Sequence, residues 1–583
     1  MPTSLLEGNS LLVVDVGATT TRAAYFDVVE GVYRFIAAGQ APSTAESPYR
    51  DIGLGVREAI ESVQAVTGKS FIDADRRLVM PSQPDGSGVD SFAATLSAGP
   101  SIRTAIVGLL SDVSMESARR LAESTYSRIV ERVDLSDRRR ADEQIDALLR
   151  ARPDIVILSG GTDGGAARSA LKMLDTIGLA CFLMPAEKRP AFLFAGNASL
   201  SDDVKGLMEG LTTSLHLSHN VRPSLEVEDL DPAMKDLAEA NIAIRRKQIN
   251  GVEELEGWSH GHILPTSFAA ARMIRFLGSG AMGGALGVNL GGASASIAAG
   301  FASGGLSLKT YPQFGLGENL AALLQNSKLE DFTRWLSLDI HEGALRDAIY
   351  QKSLYPTTIP ATPEDRVIAQ AIARQALHLA VRAARKDFPA SARAPRHDLM
   401  PYFEMIIASG AALSDGGTPG QNLLLLLDAI QPVGIAQIML DRNNLLPMLG
   451  VAAEINNLLP VQALESGAFQ NLGTTVSVVS GASYGTPILQ ARLKYGDRNE
   501  TRLEVKQGAL EAIPLGVGQA AQLSLQPLHR ADIGFGPGRS HTTSIHGGAL
   551  GVVIDARGRS LQLPSDAVRR RELFKKWLWT LGG

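Results

Sequence analysis

Asp15 closes a run of apolar residues, Leu11–Val14, and is followed at once by Gly17 and the hydroxyl row Thr19, Thr20 and Thr21, before Ala23–Phe26 resume the apolar pattern. This spacing predicts two β-strands joined by a polar tip in which Gly17 permits a tight turn. A carboxylate at a strand end can hold a magnesium ion through water, and the glycine and threonines offer N–H and O–H donors to a phosphate. The tip suits a magnesium-bound nucleotide, although the same pattern also occurs in ordinary hairpins. A second unit of like design runs from Gly287–Leu290 through Gly291, Gly292 and Ser294 into another apolar stretch. A third strand, Met405–Ala408, opens into SGAALSDGG, where Ser409 and Gly410 stand at a turn that serves either a ligand or simple passage from strand to helix.

The elements that must position these tips follow from the apolar periodicity. Arg34–Ala38 reads as a third strand and Ile52–Thr67 as a helix, with Ile52, Val56, Ile60 and Val63 on one face. Leu78–Gly99, containing MPSQPDGSGVDS, reads as a loop. Strands and helices then alternate regularly: Thr104–Leu109, Ser114–Tyr126, Ile129–Val133, Asp137–Arg150 and Asp154–Leu158, the last opening into SGGTDGG and a helix from Ala166. That glycine turn serves close packing more readily than an anion. Further helices are expected over 232–248, 265–277 and 364–386.

Composition bounds the classes. With 583 residues, 45% of them hydrophobic, the chain can bury several cores. Lys and Arg number 56 against 61 Asp and Glu, a net charge of −5, so no global field favours nucleic acid. A single cysteine, Cys181, in an apolar run excludes a disulfide framework and fits a reducing cytoplasm. No apolar run approaches the roughly 20 residues of a membrane span.

Two strand–glycine tips facing one another resemble the duplicated lobes of the actin, sugar kinase and Hsp70 ATPase fold. The segments DVGATTTRAAYFDV, PDIVILSGGTDGG, NVRPSLEVEDLDPA, LPTSFAAARMI, NLGGASAS, IIASGAALSDG and IMLDRNNLLPMLGVAA occur in the order of the glutamate-mutase accessory MutL family, also called GlmL and unrelated to the mismatch-repair MutL. The resemblance covers residues 11 to 455. It implies a two-lobed, ribonuclease H-like α/β ATPase body that binds ATP or ADP with Mg, through Asp15, Gly17, Thr19, Thr20, Thr21, Gly291, Gly292, Ser294, Ser409 and Gly410. It also implies a protein partner, for some members a coenzyme B12-dependent mutase, on which the factor acts as a chaperone or reactivator. Where the family's second phosphate turn resembles D-x-GGATTD, this chain has Asn289 and Ser296 in place of the acidic residues, and Gln313–Gly317 replaces an acidic E-G-D-L-G element. Neither an amide nor a hydroxyl accepts a proton usefully or adds negative charge. The expectation is a nucleotide clamp that hydrolyses slowly or not at all.

The implied boundaries are a first lobe with an inserted α/β segment over 1–280, a second lobe over 281–470, a separate β-rich domain over 471–564 and an amphipathic basic helix over 565–583. Strands are expected at Thr474–Val479, Ile488–Tyr495, Thr501–Gln507, Ala521–Leu525, Ser540–Ile545, Leu550–Ile554 and Ser560–Leu563. In the last helix Leu573, Phe574, Trp577, Leu578 and Leu581 share a face. That face suits docking on the protein's own body, a partner's groove or an anionic membrane surface. The competing reading is therefore a non-catalytic scaffold of the same fold that recruits partners, at the membrane surface if the helix is free.

Overall fold

The computed structural model describes every residue except 1–9, 393, 415–416, 497–498 and 583. Its first lobe is built on β1 (Leu11–Val16), β2 (Thr20–Val29), β3 (Val32–Pro42), β4 (Ser91–Leu96) and a short strand from Ile263 to Pro265. Strand order from one edge is β3, β2, β1, β4 and the short strand, with β1–β2–β3 antiparallel and the rest parallel to β1. Both faces of β1 are buried, which its unbroken apolar run requires. Helix Ile52–Thr67 spans the predicted residues; Asp51 caps it and Gly68, at φ 71°, ends it.

Strand β4 corrects the expected loop over 78–99. SFAATL follows a segment dense in turn residues, and that neighbourhood hid a central strand paired residue for residue with β1. Between β4 and the short Ile263–Pro265 strand lies the inserted α/β unit: β5 (Ile102–Val107), β6 (Ser127–Val133), β7 (Ile155–Leu158), β8 (Ala191–Phe194) and β9 (Leu215–Leu217). They form a parallel sheet in the order β6, β5, β7, β8, β9. The Ile263–Pro265 strand is β10.

The second lobe repeats the plan of the first. β11 (Ala285–Leu290), β12 (Ala295–Gly300), β13 (Leu306–Tyr311), β14 (Met405–Ser409) and β15 (Gly434–Asp441) again run third, second, first, fourth, fifth. The sheet then continues through β16 (Gln470–Ser477), and through β22 (Val552–Asp555) to β19 (Leu510–Ile513). Only β17 (Pro487–Tyr495), β18 (Asn499–Lys506), β20 (Ala520–Pro527) and β21 (His541–His546) form a sheet of their own. The stretch expected as a separate domain from 471 is thus partly an extension of the second lobe, because β16 finds its hydrogen-bond partner in β15. Residues 560–563 form no strand.

The terminal helix, Ala567–Thr580, is capped by Asp566 and seated on the second lobe. Phe574, Trp577 and Leu581 are buried, and Leu573 and Leu578 pack partly against the same core, so the face read as available to a membrane or partner is spent internally. Beneath it lies a cluster of buried charges. Asp428 accepts from Arg374 and Arg557, Asp555 from Arg557 and Arg559, and Trp577 stacks 4.6 Å from the Arg557 guanidinium. Among the described residues no helix is long and apolar enough to cross a membrane.

Two helices tie the lobes together. Thr266–Gly280 leaves β10 of the first lobe yet packs on β11 and β12 of the second, while Leu445–Ala452 leaves β15 of the second and packs on β1 and β4 of the first. They cross where a Cβ on Gly450 would come within 1.9 Å of the Ala269 carbonyl oxygen, a contact only glycine allows.

Candidate functional site

Each predicted tip is a closed turn. The Gly17 N–H donates to the Thr20 carbonyl at 3.1 Å, and the Gly291 N–H to that of Ser294 at 3.0 Å. The tips face each other so closely that a Cβ on Gly292 would lie 2.6 Å from the Thr19 side chain. Gly410, at φ 98°, lies against Leu290, where a Cβ would meet the carbonyl oxygen at 2.4 Å. Three separated segments thereby converge on one cavity of about 890 Å³, lined by Asp15, Gly17, Thr19, Thr20, Gly291, Gly292, Ser294, Ser409 and Gly410. Thr21 is outside it. Strand alternation turns Thr21 to the opposite face, where it is fully buried, its hydroxyl without a partner among the described residues, near Gly55 on the helix behind.

Asp15 is buried at the cavity floor. One carboxylate oxygen accepts from the hydroxyls of Thr95 at 2.7 Å and Thr266 at 2.8 Å, and the other from the Asn444 amide at 2.7 Å. Thr266 and Asn444 stand at the starts of the two crossing helices, so both converge on this carboxylate. Asn444 holds the left-handed conformation at φ 55°, and its own carbonyl accepts from Asn289, which also donates to Ser409 at 2.8 Å. A chain of amides thus links the floor of one lobe to that of the other.

A second carboxylate escaped sequence reasoning. Asp441 ends β15 as Asp15 nearly ends β1, is fully buried, and accepts from the Leu445 and Leu446 N–H groups, each at 2.8 Å. Burial pushes its carboxyl up to about 6 and the Asp15 charge adds to this, while the two N–H groups and Arg22 pull the other way. The signal was present: Ile435–Leu440 is an apolar strand ending in an acid and followed by a helix. The lining residues Arg22, Asn241 and Arg245 were also missed. Asp163 of the SGGTDGG loop lies away from the cavity and accepts from Ala198 N–H and Asn220.

The donor set fits a hydrated divalent cation. Of the two buried carboxylates Asp15 lines the cavity; among the described residues neither forms an ion pair, and Asp15 is held by neutral donors alone. No group of three His, Cys, Asp or Glu that could hold a metal ion directly gathers among the described residues.

Two lobes of identical strand order, each offering a glycine tip to a shared cleft, define the duplicated actin-like ATPase fold. Within it the chain belongs to the MutL protein family, whose pattern it matches over residues 11–467. Protein MutL of Clostridium tetanomorphum is 25% identical over 300 residues, 50% of this chain and 57% of that protein, so the chain spans little more than half its relative's length. Among solved structures, a diol dehydratase-reactivating factor in nucleotide-free form is similar over 79% of this chain and 100% of that one, at 10% identity and a TM-score of 0.31. A xylulose kinase from Bifidobacterium adolescentis is similar over 79% and 95%, at 11% identity and a TM-score of 0.27.

Proposed function

We propose that the cleft binds ATP or ADP with Mg and that nucleotide exchange moves the lobes about the crossed helices, so that the protein acts as a chaperone-like accessory factor on a protein partner. The observation that carries this reading is the placement of Asp15 between two closely facing tips, buried and, among the described residues, held by neutral donors alone. Bound Mg would neutralise phosphate charge there. The backbone N–H groups and hydroxyls of the tips would orient the phosphates, and the Ser409–Gly410 turn would border the nucleoside. Because Thr266 and Asn444 lie at the roots of the crossed helices, a change in what Asp15 binds reaches both lobes through them.

Hydrolysis is expected to be slow or absent. Asn289 is engaged with Ser409 and Asn444 and cannot act as a base, and Ser296 shares its hydroxyl with Thr310. The resemblance to the glutamate-mutase accessory family supports a B12-dependent mutase as the partner. Calorimetric titration with ATP, ADP and a non-hydrolysable analogue, with and without Mg, tests the nucleotide. Micromolar binding that needs Mg is expected, and no binding of any nucleotide would refute the reading. Pull-down of a B12-dependent mutase that responds to nucleotide tests the partner.

A further inference from the structure

The cavity extends past Asp15 in a direction that the nucleotide reading does not use. Asp15, Arg22 and Gln40 are direct cross-strand neighbours on β1, β2 and β3, and all three line the cavity. Beyond them the wall is formed by Tyr126 of the inserted unit and by Asn241 and Arg245, one turn apart on helix Asp231–Gln248.

The polar groups of this wing have few protein partners among the described residues. Asn241 is only 3% exposed, yet among the described residues its carboxamide makes no hydrogen bond. Arg245 is 2% exposed, and both its hydrogen bonds, to the Pro100 carbonyl and the Gln248 side chain, come from Nη1. Its guanidinium lies 5.9 Å from the Tyr126 ring centre, and Asp154 and Glu46 act on it only at longer range. Burial lowers Arg245 to about 10, so it stays cationic at neutral pH. The Arg22 side chain forms no hydrogen bond or ion pair among the described residues, and Asp441 feels its charge only at longer range. The unbonded polar atoms of Asn241 and Arg245 are not sealed in the core but open on the cavity, where an oxyanion can take the place of water. Two cationic forks and an amide are the donors that oxyanions take.

We propose that this wing, bounded by Arg22, Asn241 and Arg245, is a second ligand site that takes a small molecule through its phosphate or carboxylate group, beside the Asp15 floor and separate from the nucleotide.

The test titrates the full-length protein with inorganic phosphate and, separately, with malonate, in the absence of nucleotide and Mg, so its failure is distinct from failure of nucleotide binding. Saturable binding of at least one is expected, and the tighter ligand identifies the group. Asn241→Asp, which adds a repelling charge at an unbonded side chain, and Arg22→Gln, which removes an unbonded one, should each weaken it at least tenfold, or about 1.4 kcal/mol. Arg245→Met should do so more strongly. Because its hydrogen bond to Pro100 supports the fold, the first two variants decide if it unfolds. Absence of saturable binding by both anions would overturn the proposal. So would binding unchanged in the Asn241 and Arg22 variants, which would place the ion at the tips.

Discussion

The two lobes share one strand order, but they differ at the tips and in what supports them. The first lobe brings a buried carboxylate, Asp15, to the floor beside its tip; at the matching place the second has Asn289, and its own buried acid, Asp441, lies two strands away beyond β14. The first lobe's sheet has five strands, whereas the second is lengthened to eight and carries the terminal helix over a buried charge cluster. The two halves share a plan and differ in what they carry. One lobe holds the buried carboxylate at the cavity floor, and the other anchors the C-terminal extension.

The difference in support can be broken at Trp577. Trp577→Ala removes a buried ring from the second-lobe core and uncovers the Arg557 guanidinium, so it should cost about 3–5 kcal/mol. In urea unfolding the second-lobe transition should move to lower denaturant while the first lobe's holds. An unchanged profile would mean that the helix does not dock in solution.

The difference in charge is tested at Asp15. Asp15→Ala deletes the carboxylate on which both crossing helices converge, and Mg-dependent nucleotide affinity should fall about 100-fold, near 3 kcal/mol. Asn289→Ala, at the matching place in the other lobe, should lower it less than tenfold. Equal losses at the two positions would erase the asymmetry.

Asp441 provides a pH signature. Its carboxyl is raised to about 6 in the folded protein, against about 4 in an unfolded chain. Between these values the folded state retains a proton that the unfolded state has released, so stability falls as pH rises through this window, by about 2–3 kcal/mol, and levels off above it. Asp441→Asn should remove that slope, seen as the difference between the two proteins' urea midpoints from pH 4 to 7. Parallel curves would show that Asp441 ionises normally.

Much of the clamp was legible because it is local. A strand, an acid, a glycine and hydroxyls occur in one short stretch, so Asp15–Thr20 and Gly291–Ser294 could be found without knowing the fold. Strand β4 was lost because the turn residues before it dominate the window around a short apolar run. Asn241 and Arg245 were hidden for another reason: both lie in an ordinary helix, and only the crossing of chain segments far apart in sequence brings them to the cleft, while Asp441 stands at an ordinary strand end. The terminal helix was legible as an element, but the partner of its apolar face was not, since amphipathicity says that a face must be covered and not by what.

Restoring the acid at position 289 asks whether the asymmetry is chemical or merely inherited. Asn289→Asp deletes the amide that donates to Ser409 and Asn444 and adds a charge to the floor that holds Asp15, two strands from the buried Asp441. Without Mg the variant should be about 1–2 kcal/mol less stable, from the lost donor and like-charge repulsion. Saturating Mg and nucleotide should recover that loss, because a cation satisfies what the amide no longer can. If Asn289 is what keeps hydrolysis slow, the same variant should also release phosphate from ATP faster than the wild type. A variant destabilised with and without Mg, and no faster, would show that the second lobe has lost the geometry as well as the charge. The amide chain from Asn289 through Asn444 to Asp15 would then be its settled replacement, joining the lobes by hydrogen bonds where two acids would need an ion between them.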